Sequence, residues 1–264
     1  MKEESFLAIS GYDPSGGAGV IADSQVSSYF GIPFCSLLTC ISNQDTSSVH
    51  TVQPMDKSFM LDVAERIKED RNIKYIKIGL IPNAELVECI IDIIESFFDD
   101  AKIILDPVIK PTGKGQLQGK TEVSAYTKLL TKAWLITPNE YELKKLSQKE
   151  SIEEAVAILK NSNVKNILCT GIVDDSNITN ILYSDIEHIF TSKLIPGSFR
   201  GTGCTFSSAI TCKLISGLSL VNSISDATKY THQCIKESKD AGSATASIFR
   251  FLDALVSILG CIRN

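Results

Sequence analysis

Short apolar runs alternate with amphipathic helical windows along this chain, and that alternation restricts its fold more than any other feature. Phe6–Ser10, Phe34–Ile41, Ile73–Ile78, Lys102–Leu105, Trp134–Thr137, Asn166–Cys169, Asn180–Tyr183 and His188–Leu194 read as strands. Several are apolar almost throughout, as strands covered on both faces are. Helical periodicity falls at about 17–31, 57–70, 83–98, 121–132, 139–147, 151–161, 203–217, 219–239 and 245–262. Within 83–98, Leu86, Val87, Ile90, Ile91, Ile93, Ile94 and Phe97 form one broad apolar face. This order predicts an α/β fold of three layers, a mostly parallel central sheet with helices on both faces. The last two strand candidates have no helix between them, which predicts an antiparallel hairpin near one edge.

No repeat, low-complexity tract or Pro/Gly linker interrupts the pattern, so residues 1–264 read as a single domain. At 264 residues and 44% hydrophobic content the chain can bury a full core. The net charge is −5 and no basic patch is present, which argues against nucleic acid as a partner. Phosphorylated small molecules stay open, because backbone N–H groups bind them without a basic surface. The eight cysteines lie mostly inside apolar runs, with no C-x-x-C and no Cys/His cluster. Neither a zinc site nor a disulfide framework is expected, and a reduced, cytoplasmic setting is the simpler reading. Met1-Lys2-Glu3-Glu4-Ser5 is not a signal-peptide start, and no segment is long and apolar enough to span a membrane.

In open α/β sheets, ligands sit beyond the carboxyl ends of the strands. The polar motifs fall at such ends: Gly11–Gly19, Ser42–Thr46, Asp106-Pro107, Thr137–Glu142 and Arg200–Cys204. Gly201-Thr202-Gly203-Cys204 leads straight into a helical stretch, so free N–H groups converge at a helix start, where an anion is favoured. A cysteine there is expected to have a lowered pKa and to serve as a base. An anion hole beside a base is what phosphoryl transfer to an alcohol requires. The plainer alternative is a glycine turn before a core helix, with Cys204 a small buried hydrophobe.

Gly17-Ala18-Gly19 with Ala22 also fits a loose dinucleotide fingerprint, which keeps an NAD(P)-dependent oxidoreductase as a rival. Asp23 near the start of the first helix would complement its dipole. Gln44 offers a paired donor and acceptor to a heteroaromatic ring, or is a solvated loop residue. Asn139 and Glu142 have the spacing of a capping box, and the same side chains can reach Mg²⁺ through water. Asp106 either faces that metal or serves the turn at Pro107. Lys110–Gly119, rich in glycine, reads as a flap over the site or an ordinary loop. His50, His188 and His232 share no spacing that would build a triad with Cys204.

Taken in order along nearly the whole chain, these segments resemble hydroxymethylpyrimidine/phosphomethylpyrimidine kinases of thiamine biosynthesis. The carrying residues are Gly11–Asp23, Gln44, Lys77-Ile78-Gly79, Leu105-Asp106-Pro107-Val108, Leu135–Glu142 and Gly201–Ala209. The resemblance implies a ribokinase-like fold and Mg²⁺-dependent use of ATP to phosphorylate a small heteroaromatic alcohol and then its monophosphate. It implies Cys204 as base and the amides of Gly201, Thr202, Gly203 and Cys204 as the hole for the transferring group. It implies Gly11, Ala18, Asp23, Gln44 and Val108 at the pyrimidine. Asp106, Asn139, Glu142 and Arg200 fall to ATP and its phosphates, with Glu142 and Asp106 on Mg²⁺. It also implies a homodimer. The chain departs from the family pattern at Arg200 (often His), Thr170 (often Lys, before Gly-Gly) and Thr228 (often Lys, with Lys229 one place on); Arg200 is expected to supply positive charge near the phosphates. Pyridoxine/pyridoxal kinases share the scaffold and the Gly-Thr-Gly-Cys run and remain an alternative, as does a silent pyrimidine-binding module.

Overall fold

The computed structural model describes residues 2–109, 123–162, 164–240 and 246–247. The chain runs β1 (Glu4–Tyr12), α1 (Gly19–Tyr29), β2 (Phe34–Gln44), β3 (Val49–Pro54), α2 (Lys57–Asp70), β4 (Asn72–Ile78), α3 (Ala84–Phe97) and β5 (Lys102–Leu105). It continues through α4 (Val123–Leu130), β6 (Ala133–Ile136), α5 (Glu140–Ser147), α6 (Ile152–Asn161), β7 (Asn166–Asp174), β8 (Asn177–Tyr183) and β9 (Glu187–Lys193). The last elements are β10 (Phe199–Arg200), α7 (Thr202–Ile215), α8 (Leu220–Lys236), β11 (Lys239–Asp240) and β12 (Ala246–Ser247).

Nine strands form one sheet in the order β3-β2-β1-β4-β5-β6-β7-β8-β9. The six from β2 to β7 run parallel. Both ends of the sheet turn antiparallel, through β3 on β2 and through β7–β8–β9. The expected edge hairpin is β8–β9. Successive strand residues point to opposite faces. Leu7 and Ile9 therefore enter one core with α2 to α6, while Phe6 and Ala8 enter a second with α1, α7 and α8. The mostly parallel, three-layer α/β fold is the one the alternation predicts. No helix among the described residues is long and apolar enough to cross a membrane.

Two expectations need correction. β3 was not anticipated: its six residues are half polar and end in Pro54. It exists because β2 pairs with it, and an edge strand tolerates a terminal proline. The helix expected over 245–262 does not begin at its described residues, since Ala246–Ser247 pairs with β10 on one side and β11 on the other. Partners distant in sequence decide that, and local periodicity does not register them. The rest of that window and the Lys110–Gly119 segment lie outside the described residues.

Candidate active site

Backbone bonding continues past the parallel strand ends. The N–H of Gly79 donates to Ile9 O (2.9 Å), that of Asp106 to Ile78 O (2.8 Å) and that of Thr137 to Leu105 O (3.0 Å). The loops after β1, β4, β5 and β6 are thereby held side by side at one edge. A cavity of about 270 Å³ opens there. Gly11, Ala18, Gln44, Asp106, Val108, Asn139, Glu142, Arg200, Gly201, Thr202, Gly203 and Cys204 all line it. A second cavity of about 330 Å³, with Val173, Ile178, Leu194, Ile195, Phe199, Phe206 and Ile235 as its apolar wall, shares Thr170, Gly171, Thr202 and Gly203 with the first. The two spaces meet at the first turn of α7.

That turn is built to stay open. Gly201 is the N-cap with φ 73°, a left-handed backbone suited to glycine, and it offers no side chain to bond the helix start. The first α-helical bond is Thr205 N–H to Gly201 O at 2.8 Å, so the amides of Thr202, Gly203 and Cys204 have no intrahelical acceptor. Gly19 at the start of α1 has φ 58°, and a Cβ there would lie 2.1 Å from Gly11 O, so the loop closes only on glycine.

The Cys204 thiol does not have the lowered pKa expected of a helix N-terminus. Burial pushes it up to about 11. The Lys77 ammonium and the Gly19 N–H pull it down, while the Asp23 and Asp106 carboxylates push it up. Desolvation and two like-signed neighbours outweigh the helix end.

Asp23 does not face the cavity, although the resemblance places it at the pyrimidine. It lies in the second turn of α1, it is fully buried, and it is absent from the cavity wall. It accepts from Lys77 Nζ at 2.9 and 3.2 Å and from Ser208 Oγ at 2.7 Å. Its partner is a buried cation, not the helix dipole.

Asn139 and Glu142 form the anticipated capping box. Asn139 Oδ1 accepts from Glu142 N–H at 2.9 Å, and Glu142 Oε2 accepts from Asn139 N–H at 3.0 Å. Burial first and Asp106 second raise the Glu142 pKa, against the Asn139 and Ile109 amides, to about 8. Asp106, 5% exposed, is raised as well, first by burial, with Lys77 opposing. Its carboxylate lies 3.6 Å from where a Cβ on Gly203 would stand. Thr137 Oγ1, on the same wall, is buried without a hydrogen-bond partner. No group of three His, Cys, Asp or Glu among the described residues could enclose a metal. Two buried carboxylates with raised pKa values and an unpartnered hydroxyl suit Mg²⁺, which keeps its waters and takes few carboxylates beside a phosphate.

Arg200, 5% exposed, spends its guanidinium on the loops after β1 and β2. One NH group donates to Asp13 Oδ2 at 3.1 Å and the other to Asp45 O. Asp13 also accepts from Ser15 N–H, Ser15 Oγ and Ala18 N–H. Thr170 and Thr228 line the second cavity; Lys229 is exposed beside Asp226 and does not. Lys77, Asp13 and Thr137 carry roles that motif reading did not assign. Lys77 sat inside a carrying segment, and a lysine within an apolar strand run was the signal that could have marked it.

The comparisons with known proteins give the family and the fold. The profile described as phosphomethylpyrimidine kinase matches residues 13–248. The hydroxymethylpyrimidine/phosphomethylpyrimidine kinase of Haemophilus influenzae is 30% identical over 252 residues, covering 89% of this chain and 92% of that one. The fold is shared with Staphylococcus aureus pyridoxal kinase in complex with AMP-PCP and pyridoxal, at TM-score 0.84 and 22% identity over 96% and 95% of the two chains. It is also shared with the Clostridium difficile phosphomethylpyrimidine kinase, at TM-score 0.73 and 25% identity over 89% and 100%. The chain belongs to the phosphomethylpyrimidine kinase family and has its ribokinase-like fold.

Proposed function

We propose that this protein transfers the γ-phosphoryl group of ATP to the hydroxymethyl oxygen of 4-amino-5-hydroxymethyl-2-methylpyrimidine, and then to the phosphate of the monophosphate formed. The observation that carries the reading is the meeting of two cavities at the open start of α7, where Thr202 and Gly203 line both and Cys204, the next residue, lines the first. The largely apolar cavity suits a nucleoside, and the more mixed one, with its polar groups, suits a small heteroaromatic ring.

In this reading Gly11, Ala18, Gln44 and Val108 hold the ring, with Gln44 matching its donor and acceptor edge. The substrate hydroxyl sits at Cys204, which takes its proton as the oxygen bonds to phosphorus. The bond from phosphorus to the ADP oxygen breaks, and the amides of Thr202, Gly203 and Cys204 face the charge on the transferring group. A thiol of pKa about 11 is almost wholly protonated at neutral pH, so the base forms as a minority species whose share grows with pH. Asp106 and Glu142, with Asn139 and Thr137 beside them, would hold Mg²⁺ through water; bound there, it supplies positive charge to the phosphates. Arg200 serves the phosphate side by fixing the loop after β1, its own charge being shared with Asp13. We read the chain as one kinase domain, homodimeric and cytoplasmic.

ATP consumption with Mg²⁺ tests the reading across hydroxymethylpyrimidine, its monophosphate, pyridoxine and pyridoxal. Preference for the two pyrimidines is expected. Preference for the B6 compounds would move the enzyme to a pyridoxal-kinase activity, and ring binding without turnover would make it a silent binding module.

A further inference from the structure

Lys77 is fully buried on β4, yet the reaction as derived makes no use of it. Its ammonium bonds both oxygens of Asp23 on α1. Asp23 in turn accepts from Ser208, one helical turn beyond Cys204 on α7. Residues four apart share a helix face, so the thiol and the Ser208 hydroxyl point the same way. On the neighbouring position Ser207 Oγ donates to Asp106 at 3.3 Å. The first two turns of α7 are thus gripped by two carboxylates, and Lys77 is the cation electrostatically coupled to both and to Cys204. Gly79 leaves the room: a Cβ there would stand 2.4 Å from Ser10 Oγ and 3.0 Å from Lys77 Nζ.

A fully buried ion pair is weak evidence of stability, because desolvation offsets its attraction and a well-packed apolar pair often serves as well. Its place in this fold is informative instead: it joins the central sheet, α1 and the helix whose first turn is the phosphate site.

We propose that the Lys77–Asp23 pair is a positioning device for phosphoryl transfer, fixing the start of α7, with the Gly201–Cys204 amides and the Cys204 thiol, against the sheet. The proposal rests on the kinase reading above. It assigns Lys77 and Asp23 to geometry, whereas the family resemblance puts Asp23 on the pyrimidine.

The test replaces the pair together, Lys77→Met with Asp23→Leu, because either change alone strands a buried charge. The double variant is expected to keep an unfolding midpoint within a few degrees of the parent protein. Its kcat should fall by about 10²-fold, the cost of a small misplacement of reacting groups, with KM for the pyrimidine nearly unchanged. Hydrogen exchange of the amides of 202–208 should speed up while global protection persists. Gly79→Ala, which crowds Ser10 Oγ first and the ammonium second without altering any charge, should move kcat and exchange the same way by less. Parental kcat and exchange in both variants would overturn the proposal. So would a risen pyrimidine KM at unchanged kcat, which returns Asp23 to the substrate. Failure of the double variant to fold, with Gly79→Ala unchanged, would make the pair a stability element only and overturn it too. Absence of turnover by the parent protein would instead sink the kinase reading; the exchange comparison needs no substrate and decides the positioning claim regardless.

Discussion

α5 and α7 both begin on the wall of the same cavity, and their first turns are finished in opposite ways. At α5, Asn139 and Glu142 exchange bonds with each other's backbone and close the helix start. At α7, Gly201 holds a left-handed backbone and no N-cap side chain bonds the first amides. A capping side chain is worth about 1 kcal/mol to a helix, so the open start forgoes stability that α5 takes. What the open start gains is a set of amides aimed at an outside anion. The carboxylates follow the same division. Asp23, behind α7, is paired with Lys77, whereas Glu142 and Asp106 face the cavity with their pKa values raised by burial. In the proposed reading, the groups left incomplete are those that a phosphate and its metal would complete.

The largest effect should come from the open helix. Cys204→Ser is expected to lower kcat by about 10²–10⁴-fold, the range for a general base, with little change in melting temperature. A near-normal kcat in steady-state assays would remove the base assignment.

Glu142 comes next. Its folded pKa of about 8 lies above the ordinary carboxylate value of 4.5, so the folded state holds its proton more tightly than the unfolded chain. Below about pH 4 both states are protonated and nothing is lost. Between there and pH 8 the unfolded state ionises first, so stability falls as pH rises, by a few kcal/mol at roughly 1.4 per unit. Glu142→Gln keeps an acceptor for the Asn139 amide and removes that fall. Its melting temperature should match the parent protein near pH 4 and exceed it by several degrees above pH 8. An advantage that does not grow with pH would show that Glu142 is already compensated in the apo protein.

Asn139→Ala should be the mildest. Loss of the cap costs about 1 kcal/mol, or roughly 2–4 °C in a chain of this size. If Asn139 also organises the metal, the Mg²⁺ concentration for half-maximal rate should rise severalfold. A stability loss with an unchanged Mg²⁺ requirement would leave it a cap alone.

These contrasts were only partly legible in the sequence. The βα alternation was, because an apolar strand run or an amphipathic helix is a local pattern. So was the capping box, whose two residues stand three apart. β3 and the small β10-β12-β11 sheet were not, since both depend on partners brought by the fold. The open start of α7 was visible in Gly201–Cys204, but the direction of the Cys204 pKa was not. It is set by what packs behind the thiol, and Lys77 meets Asp23 across 54 positions of chain. Arg200 reads as a free cation for phosphates until Asp13, 187 positions away, is seen to hold it.

The central claim is that the uncapped start of α7 receives the transferring phosphoryl group. Gly201→Asp tests it most directly, because aspartate tolerates the left-handed backbone and adds a negative charge beside the amides that would face the anion. Rates of ADP formation with hydroxymethylpyrimidine and Mg²⁺ would be measured beside the melting temperature. The account predicts loss of about 10²–10³-fold or more in kcat/KM for ATP, with stability held within a few degrees. A variant that turns over at the parental rate would contradict it and move the phosphate site away from α7.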